Sequence, residues 1–186
     1  MFTKESPTLL GDFCVNSFMK RSYLTYLIFI AFFSFSLLFS NNNGPLLTKF
    51  EDKNIEIIFP CKYSSNKKSL GRGGSSITYT CEKDKIGYAL TITTIYDPSR
   101  KSAKIALKGH LNAMSLIAPL DKVEWFQRNN YTGVEYKQSL KTSIGQIYNY
   151  SKTFYIKGQG YHFMVIDKNN NKKLVNKFLS SIKIKS

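Results

Sequence analysis

The sequence predicts an α+β fold in which an antiparallel β-sheet is packed by two helices, after an N-terminal hydrophobic segment for export or anchoring. Three observations lead to this fold class. An uncharged apolar run follows the basic residues Lys20 and Arg21. Several segments after residue 50 alternate apolar and polar residues, which is typical of strands, and two others show helical spacing. Because the order is strands, helix, strands, helix, we expect an antiparallel sheet rather than βαβ units.

The chain begins with a targeting pattern. An apolar stretch, residues 23–39, follows Met19-Lys20-Arg21, and no charged residue occurs before Lys49. A basic region followed by an apolar one is typical of a secretory signal, because the positive end stays on the cytoplasmic side of the membrane. These 17 residues would form a helix of about 25 Å, at the short limit for crossing a bilayer. The stretch is therefore either a cleaved signal peptide or a transmembrane anchor, and both place the C-terminal domain in the periplasm or at the cell surface.

Composition shifts divide the rest of the chain. We assign a cytoplasmic tail or basic signal region to residues 1–22, with Met19 as an alternative start, and the apolar signal or anchor segment to residues 23–40. A linker with Asn-Asn-Asn-Gly-Pro covers residues 41–49, and one globular domain covers residues 50–186. A domain of about 140 residues is long enough to bury roughly two thirds of its unfolded surface.

Strands are predicted where apolar side chains recur at every second position. A further strand starts with Val123 and Trp125, and residues 146–156 form a long aromatic one. Residues 161–166 are apolar at nearly every position, which indicates a central strand covered on both faces. The inward faces of the first three strands and of the strand before the aromatic one are Ile55, Ile57 and Phe59; Ile77, Tyr79 and Cys81; Tyr88, Leu90 and Ile92; and Val134 and Tyr136.

Two helices interrupt the strands. The first is capped by Ser99 or Ser102 and ends before Pro119, and the last begins near Asn170. Apolar residues at helical spacing define their inward sides: Ala103, Leu107, Leu111, Met114 and Ile117 in the first, and Leu174, Val175, Phe178, Leu179 and Ile182 in the last.

Three local patterns resemble the PsbP-like fold, which includes exported bacterial proteins of the DcrB type. They are Ile57-Ile58-Phe59-Pro60 at the end of the first strand, Gly87-Tyr88-Ala89-Leu90-Thr91-Ile92, and the closing Phe178-Leu179-Ser180-Ser181-Ile182-Lys183-Ile184. The resemblance covers the element order of about residues 50–184. It implies no catalytic residues, because that family shares none; its members act in photosystem assembly, in binding a small GTPase, or in the cell envelope. Similarity of fold alone does not define a function.

Two cysteines are candidates for a disulfide. Cys61 and Cys81 fall in phase with the inward faces of their strands, so their sulfurs meet if those strands pair around a loop at residues 62–75. An oxidising compartment would keep them bonded. Two buried free thiols are the alternative, and a redox or metal pair would require a closer spacing such as CxxC. Cys14 precedes the apolar segment and is not part of this pair.

The sequence indicates no catalytic, metal or cofactor site. The segment Gly71-Arg72-Gly73-Gly74-Ser75-Ser76 lacks the Lys-Ser/Thr ending and the helix of a phosphate-binding loop, so a hairpin connection is favoured. His110 and His162 are interpreted as surface or satisfied core side chains, since no nucleophile or orienting acid lies in a recognisable motif with them. Asp97 and Asp121 stand alone at predicted turns.

The strongest functional signal is the positive charge. Of 27 Lys and Arg residues, 24 lie in residues 41–186 together with 10 of the 12 acidic residues, a net charge of +14. Such a surface attracts phospholipid headgroups or other anionic envelope polymers, whereas the export pattern disfavours nucleic acid. A solvated lysine coat that only keeps the domain soluble is the alternative. The candidate contact residues lie on the two helices and their entry: Arg100, Lys101, Lys104, Lys108, Lys172, Lys173 and Lys177.

These observations predict an exported or membrane-anchored envelope protein whose domain binds an anionic surface or a protein partner without catalysing a reaction. The apolar content of 42% excludes a disordered tail, and 186 residues exclude a multidomain machine. The alternative is a small extracytoplasmic hydrolase whose site is not recognisable from the sequence.

Overall fold

The computed structural model describes residues 47–71, 74–94, 103–128, 131–143, 145–156 and 158–185. Within these ranges, 64% of the residues lie in strands, and ten strands form two antiparallel sheets. The two described helices are short: α1 is Ala103–Ser115 and α2 is Lys172–Ser180. The described chain is therefore mostly β, and the predicted α+β fold, with one sheet packed by two helices, is wrong.

The larger sheet has seven strands in the order β3-β4-β5-β9-β8-β7-β6, and the smaller has three in the order β1-β2-β10. All neighbouring strands are antiparallel. The strands are β1 (Thr48–Glu51), β2 (Ile55–Phe59), β3 (Ser64–Gly71), β4 (Gly74–Lys83), β5 (Ile86–Thr94), β6 (Leu120–Arg128), β7 (Tyr131–Thr142), β8 (Gly145–Ile156), β9 (Gln159–Asp167) and β10 (Lys183–Ile184).

The smaller sheet is the layer that the sequence did not reveal. Phe50 of β1 packs on Tyr79 of β4 with 4.5 Å between ring centroids, and Phe178 of α2 packs on both Phe59 and Tyr88. The main hydrophobic core thus lies between the two sheets, with α2 beside the smaller one. The third strand of the smaller sheet comes from the C-terminal end of the described chain, where Lys183 of β10 pairs with Glu56 of β2, 127 residues away. A period of two identifies a strand but carries no signal for its partner, so that pairing was not predictable.

A second correction concerns the loop expected at residues 62–75. Most of it is strand β3, which pairs with β4 at the edge of the larger sheet. Its sequence, SSNKKSLG, has no apolar alternation because residues 64–70 are all exposed, so neither face of this edge strand is buried. Gly71 lies opposite Gly74, as in a hairpin connection, and Arg72 and Gly73 fall outside the described residues.

Other predictions of strand faces are confirmed. The inward residues expected in β2 and β5 are buried in the core, and β9 is a central strand between β5 and β8. Cys61 and Cys81 form a disulfide with 5.9 Å between their Cα atoms. Because Cys61 follows β2 and Cys81 lies in β4, the bond joins the smaller sheet to the larger one.

The helices lie on opposite sides of the larger sheet. The α2 residue Phe178 faces Tyr88 of β5, whereas His110 of α1 reaches Tyr136 of β7 and His162 of β9. Tyr88 lies opposite Val165 of β9, and His162 comes three residues before Val165 on the same strand. Because successive side chains of a strand alternate between its faces, an odd separation places Tyr88 and His162 on opposite faces of the sheet. No helix within the described ranges is both long and apolar enough to cross a membrane, and the predicted segments 1–22 and 23–40 lie outside these ranges.

Candidate functional site

The structure separates the predicted basic residues into two groups. Lys104 and Lys108 are exposed on α1. Lys172, Lys173 and Lys177 are exposed on α2, across the larger sheet. A flat anionic surface therefore meets one helix or the other, but not both at once. Arg100 and Lys101 lie outside the described residues.

The ion pairs of the described chain lie mainly in the strands. Glu51 of edge strand β1 and Glu56 of central strand β2 are each paired with Lys49, and Glu51 also contacts Lys185. The hydrogen bond from Lys185, followed by that from Lys49, lowers the pKa of the Glu51 carboxyl to about 2. Exposed pairs of this kind contribute little to stability.

The helix lysines have no such partners. Neither helix contains an acidic residue, and none of their lysines forms an ion pair within the described part of the chain. Their charge therefore faces solvent without local neutralisation. The geometry thus leaves two separate positive helix surfaces that a partner can contact.

A cluster of polar side chains lies under α1. The Nε2 atom of His110 is 2.8 Å from the hydroxyl of Tyr136 and 3.3 Å from that of Thr153. The Nε2 atom of His162 is 3.3 Å from the Ser151 hydroxyl and 3.4 Å from that of Tyr136. The two imidazole rings lie edge to face with centroids 4.7 Å apart. Sequence analysis gave no reason to bring these five residues together, because they come from four elements.

Burial keeps both imidazoles neutral. It lowers the pKa of His110 to about 4, since the charged ring would lose its hydration under the helix. Burial also lowers the pKa of His162 well below its ordinary value, with a further contribution from the neighbouring His110. Both rings therefore carry a single proton at neutral pH.

The helix end fixes the direction of the hydrogen bonds. The side-chain NH2 of Gln138 donates to the carbonyl oxygens of Met114 and Ala118, at 2.9 and 3.0 Å, where α1 ends. The Gln138 oxygen must then accept from the Asn149 amide, at 3.1 Å. The Asn149 oxygen in turn accepts from the Ser151 hydroxyl, at 3.2 Å. Carbonyl groups only accept, so each donor in this chain has one possible direction.

The same directions set the tautomer of His162. Because Ser151 gives its only proton to Asn149, its oxygen must accept from His162, which is therefore protonated on Nε2. The Nε2 atom of His110 and the Tyr136 hydroxyl share a hydrogen bond whose direction depends on the tautomer of His110. A serine nucleophile needs a histidine that accepts its proton, and Ser151 is oriented the opposite way. The Ser151–His162 contact thus does not form a nucleophile–base pair, and the cluster holds α1 on the sheet.

Gln138, Asn149, Ser151 and Thr153 were not predicted to be important. All four are buried polar residues, and Gln138 is 0% exposed. They lie on the face of the strands opposite the aromatic core, where polar residues normally indicate exposure to solvent. The prediction that His110 and His162 are satisfied side chains agrees with their hydrogen bonds. Asp121, predicted at a turn, lies in β6 and accepts a hydrogen bond from Ser139.

An open groove of about 870 Å³ lies beside the edge strand β6. Its walls include Phe126 and Tyr131 of the larger sheet and Ile182 and Ile184 near the edge of the smaller one. Its carboxylates are ion-paired, Glu135 with Lys152 at 2.6 Å and Glu124 with Lys122 at 2.9 Å. In the ranges that the structure covers, no three His, Cys, Asp or Glu side chains are close enough to share a metal ion. The groove therefore combines apolar side chains and ion-paired carboxylates with the polar residues Gln127 and Arg128.

No protein-family model matches the chain, and a search of curated proteins finds no significant similarity. The PsbP-like resemblance stays a prediction.

Proposed function

We propose that this chain is an exported or membrane-anchored envelope protein whose domain binds an anionic surface without catalysing a reaction. The observation that carries the proposal is the absence of acidic partners for the exposed helix lysines among the described residues. Lys49, Lys152 and Lys185, by contrast, are held in ion pairs with carboxylates.

The position of the α2 lysines adds a second argument. Lys172 and Lys173 occupy the first turn of α2, which has no acidic residue. The positive end of the helix dipole disfavours cations there, by about 0.3–1 kcal/mol each at low ionic strength. Lys177 lies four residues after Lys173, where two like charges repel. An anionic partner removes both unfavourable terms.

The hydrolase alternative receives no support from the buried cluster. Ser151 is 2% exposed and gives its proton to Asn149 rather than to His162. No carboxylate is hydrogen-bonded to either histidine within the described residues. A binding role does not need such groups.

The test is binding to vesicles with and without anionic lipid. The unit of residues 39–186 contains both sheets, both helices and the disulfide, and it lacks most of the apolar segment that would itself insert into lipid. We expect co-sedimentation with vesicles of phosphatidylcholine and phosphatidylglycerol at low salt, and release at high salt, because ions screen surface charges. Equal recovery with pure phosphatidylcholine, or no recovery at low salt, contradicts the proposal.

A protease-protection assay on whole cells tests the compartment. The domain should be cut by an added protease once the outer permeability barrier is opened, while a cytoplasmic marker stays intact. Protection of the domain until the cytoplasmic membrane is lysed would exclude an exported domain.

A further inference from the structure

We propose that the α1 side of the larger sheet is the surface that contacts an anionic lipid bilayer. In this contact Ile105 and Trp125 enter the headgroup region, and Lys104 and Lys108 pair with the anionic headgroups. This inference rests on the proposed function and names which of the two positive surfaces is used, and for which partner. It depends on exposed apolar side chains, which the charge pattern alone does not reveal.

The outer face of α1 carries exposed apolar side chains as well as lysines. Leu107, Leu111 and Met114 are buried against the sheet, yet Ile105 is 62% exposed and Leu116, just after the helix, is 47% exposed. Ile105 lies on the side of α1 away from the buried residues, and Leu116 is exposed directly after the last residue of the helix. Exposed apolar residues on a basic helix face are typical of helices that lie in a membrane interface.

Trp125 extends this surface onto the neighbouring strand. It lies opposite Val134, which lies opposite Thr153, which lies opposite His162. Residues opposite each other share a face of the sheet, and His162 is on the face covered by α1. Trp125, 41% exposed on edge strand β6, therefore projects from the same side of the sheet as α1, which packs on β7 and β8.

Tryptophan, like tyrosine, is enriched at the level of the lipid headgroups. Its ring has a large apolar body and an N–H that can bind a carbonyl or phosphate oxygen.

Charge selects a bilayer rather than a protein partner. Lys104 and Lys108 follow each other at one-turn spacing beside Ile105, and α1 has no acidic residue. The acidic residues of β6 face the other way: Glu124 lies opposite Glu135, on the face of the sheet that carries Phe163. The α1 side thus combines apolar and positive groups, as an anionic interface requires.

The α2 surface lacks the apolar part. The large apolar side chains that are exposed in the described chain include none from α2, where Val175 and Phe178 are buried in the core. Its lysines provide attraction but no side chain that would enter the acyl region. Contact through α1 and contact through α2 are therefore expected to give different results in the same experiment.

The experiment uses the full chain reconstituted in nanodiscs, with Trp125 as the probe because it is the only tryptophan in the sequence. One set of discs contains phosphatidylcholine, and the other contains phosphatidylglycerol as well. We expect the Trp125 emission to shift to shorter wavelength, and to be quenched by lipids brominated near the headgroup, only in the anionic discs. High salt should reverse both effects.

Variants separate the two helices. Lys104→Gln with Lys108→Gln should weaken the docking of the domain about 30-fold, at about fivefold per lysine, and Ile105→Ser should reduce quenching. The matched control Ile58→Ser removes an exposed apolar residue, 40% exposed, from the smaller sheet on the far side and should have no effect. The triple α2 change, Lys172→Gln, Lys173→Gln and Lys177→Gln, should also leave Trp125 quenching unchanged.

Two outcomes overturn the inference and are distinct from failure of the proposed function. If the unit of residues 39–186 binds anionic vesicles but Trp125 stays unquenched in anionic discs, the domain binds through another face. If the α2 variant loses binding while the α1 variant keeps it, the contact belongs to α2. If that unit shows no salt-sensitive binding at all, the proposed function itself is wrong.

Discussion

Acidification should destabilise the domain through the two histidines under α1. In the folded chain, burial holds the pKa of His110 at about 4, whereas an unfolded histidine titrates near 6.5. Between these values the unfolded chain binds a proton that the folded chain does not. A histidine whose pKa is lowered in the folded chain therefore does not change the free energy of unfolding above pH 6.5. It reduces this free energy as the pH falls from 6.5 toward 4.

The magnitude follows from the size of this window. Each pH unit between the two pKa values changes the free energy of unfolding by about 1.4 kcal/mol per proton. From pH 7 to pH 5, His110 should remove about 2 kcal/mol, and about 3 kcal/mol by pH 4. His162 acts in the same direction, because its pKa is lowered as well. A domain of this size is held by only about 5–15 kcal/mol, so the loss is measurable.

The assay is urea unfolding at pH 7 and at pH 5, comparing the natural chain with His110→Gln. Glutamine does not titrate, and its side-chain oxygen can accept from Tyr136, so the variant should lose less stability between the two pH values. The carboxyls of Glu51 and Glu56 have pKa values below the ordinary 4.5, so they add little in this window. An equal loss of stability in both proteins would refute the assignment of His110 as a buried neutral ring.

Three further substitutions test the packing. Gly133→Ala should cost about 1–3 kcal/mol in urea unfolding, because a Cβ atom there would lie 2.2 Å from the ring of Phe126. Gly109→Ala should instead raise stability by about 0.5–1 kcal/mol, because Gly109 lies in the interior of α1 and a Cβ atom there would have nothing within 4 Å. A loss of stability in Gly109→Ala and none in Gly133→Ala would contradict the glycine geometry. Replacing both disulfide cysteines by serine should remove about 3 kcal/mol, the loop-closure term for a separation of 20 residues, and reductant should have no further effect on that variant. Gln138→Leu should cost about 1–3 kcal/mol, because the carbonyls at the end of α1 lose their donor, and a neutral result would mean that water replaces it.

Local patterns in the sequence located most elements. Alternation identified β2, β4 and β5, a continuous apolar run identified β9, and apolar spacing identified both helices. Asn171 caps α2 by accepting from the N–H of Leu174, close to the predicted start at Asn170. These features are local, because side-chain period and capping depend on residues a few positions apart.

The polar cluster under α1 shows what local patterns do not contain. His110 and His162 were judged singly, and neither has a neighbour in the sequence that explains it. Their contact arises because α1 crosses strands β7, β8 and β9, whose order in the sheet is set by long-range pairing. The importance of Gln138 follows only from the position of the helix end above it.

By itself, the sequence determined the positions of most strands and of both helices, the basic character of the domain, the apolar run before it, and the pairing phase of Cys61 and Cys81. Each of these depends on composition or on spacing along the chain. The tertiary structure decided that β10 returns to β2 and forms a second sheet, and that the helix lysines divide between opposite sides. It also decided that Ile105 and Trp125 lie on the same side of the larger sheet. The physical reason is that non-local contacts are selected by the burial of whole faces, and no short segment encodes the face against which it will pack.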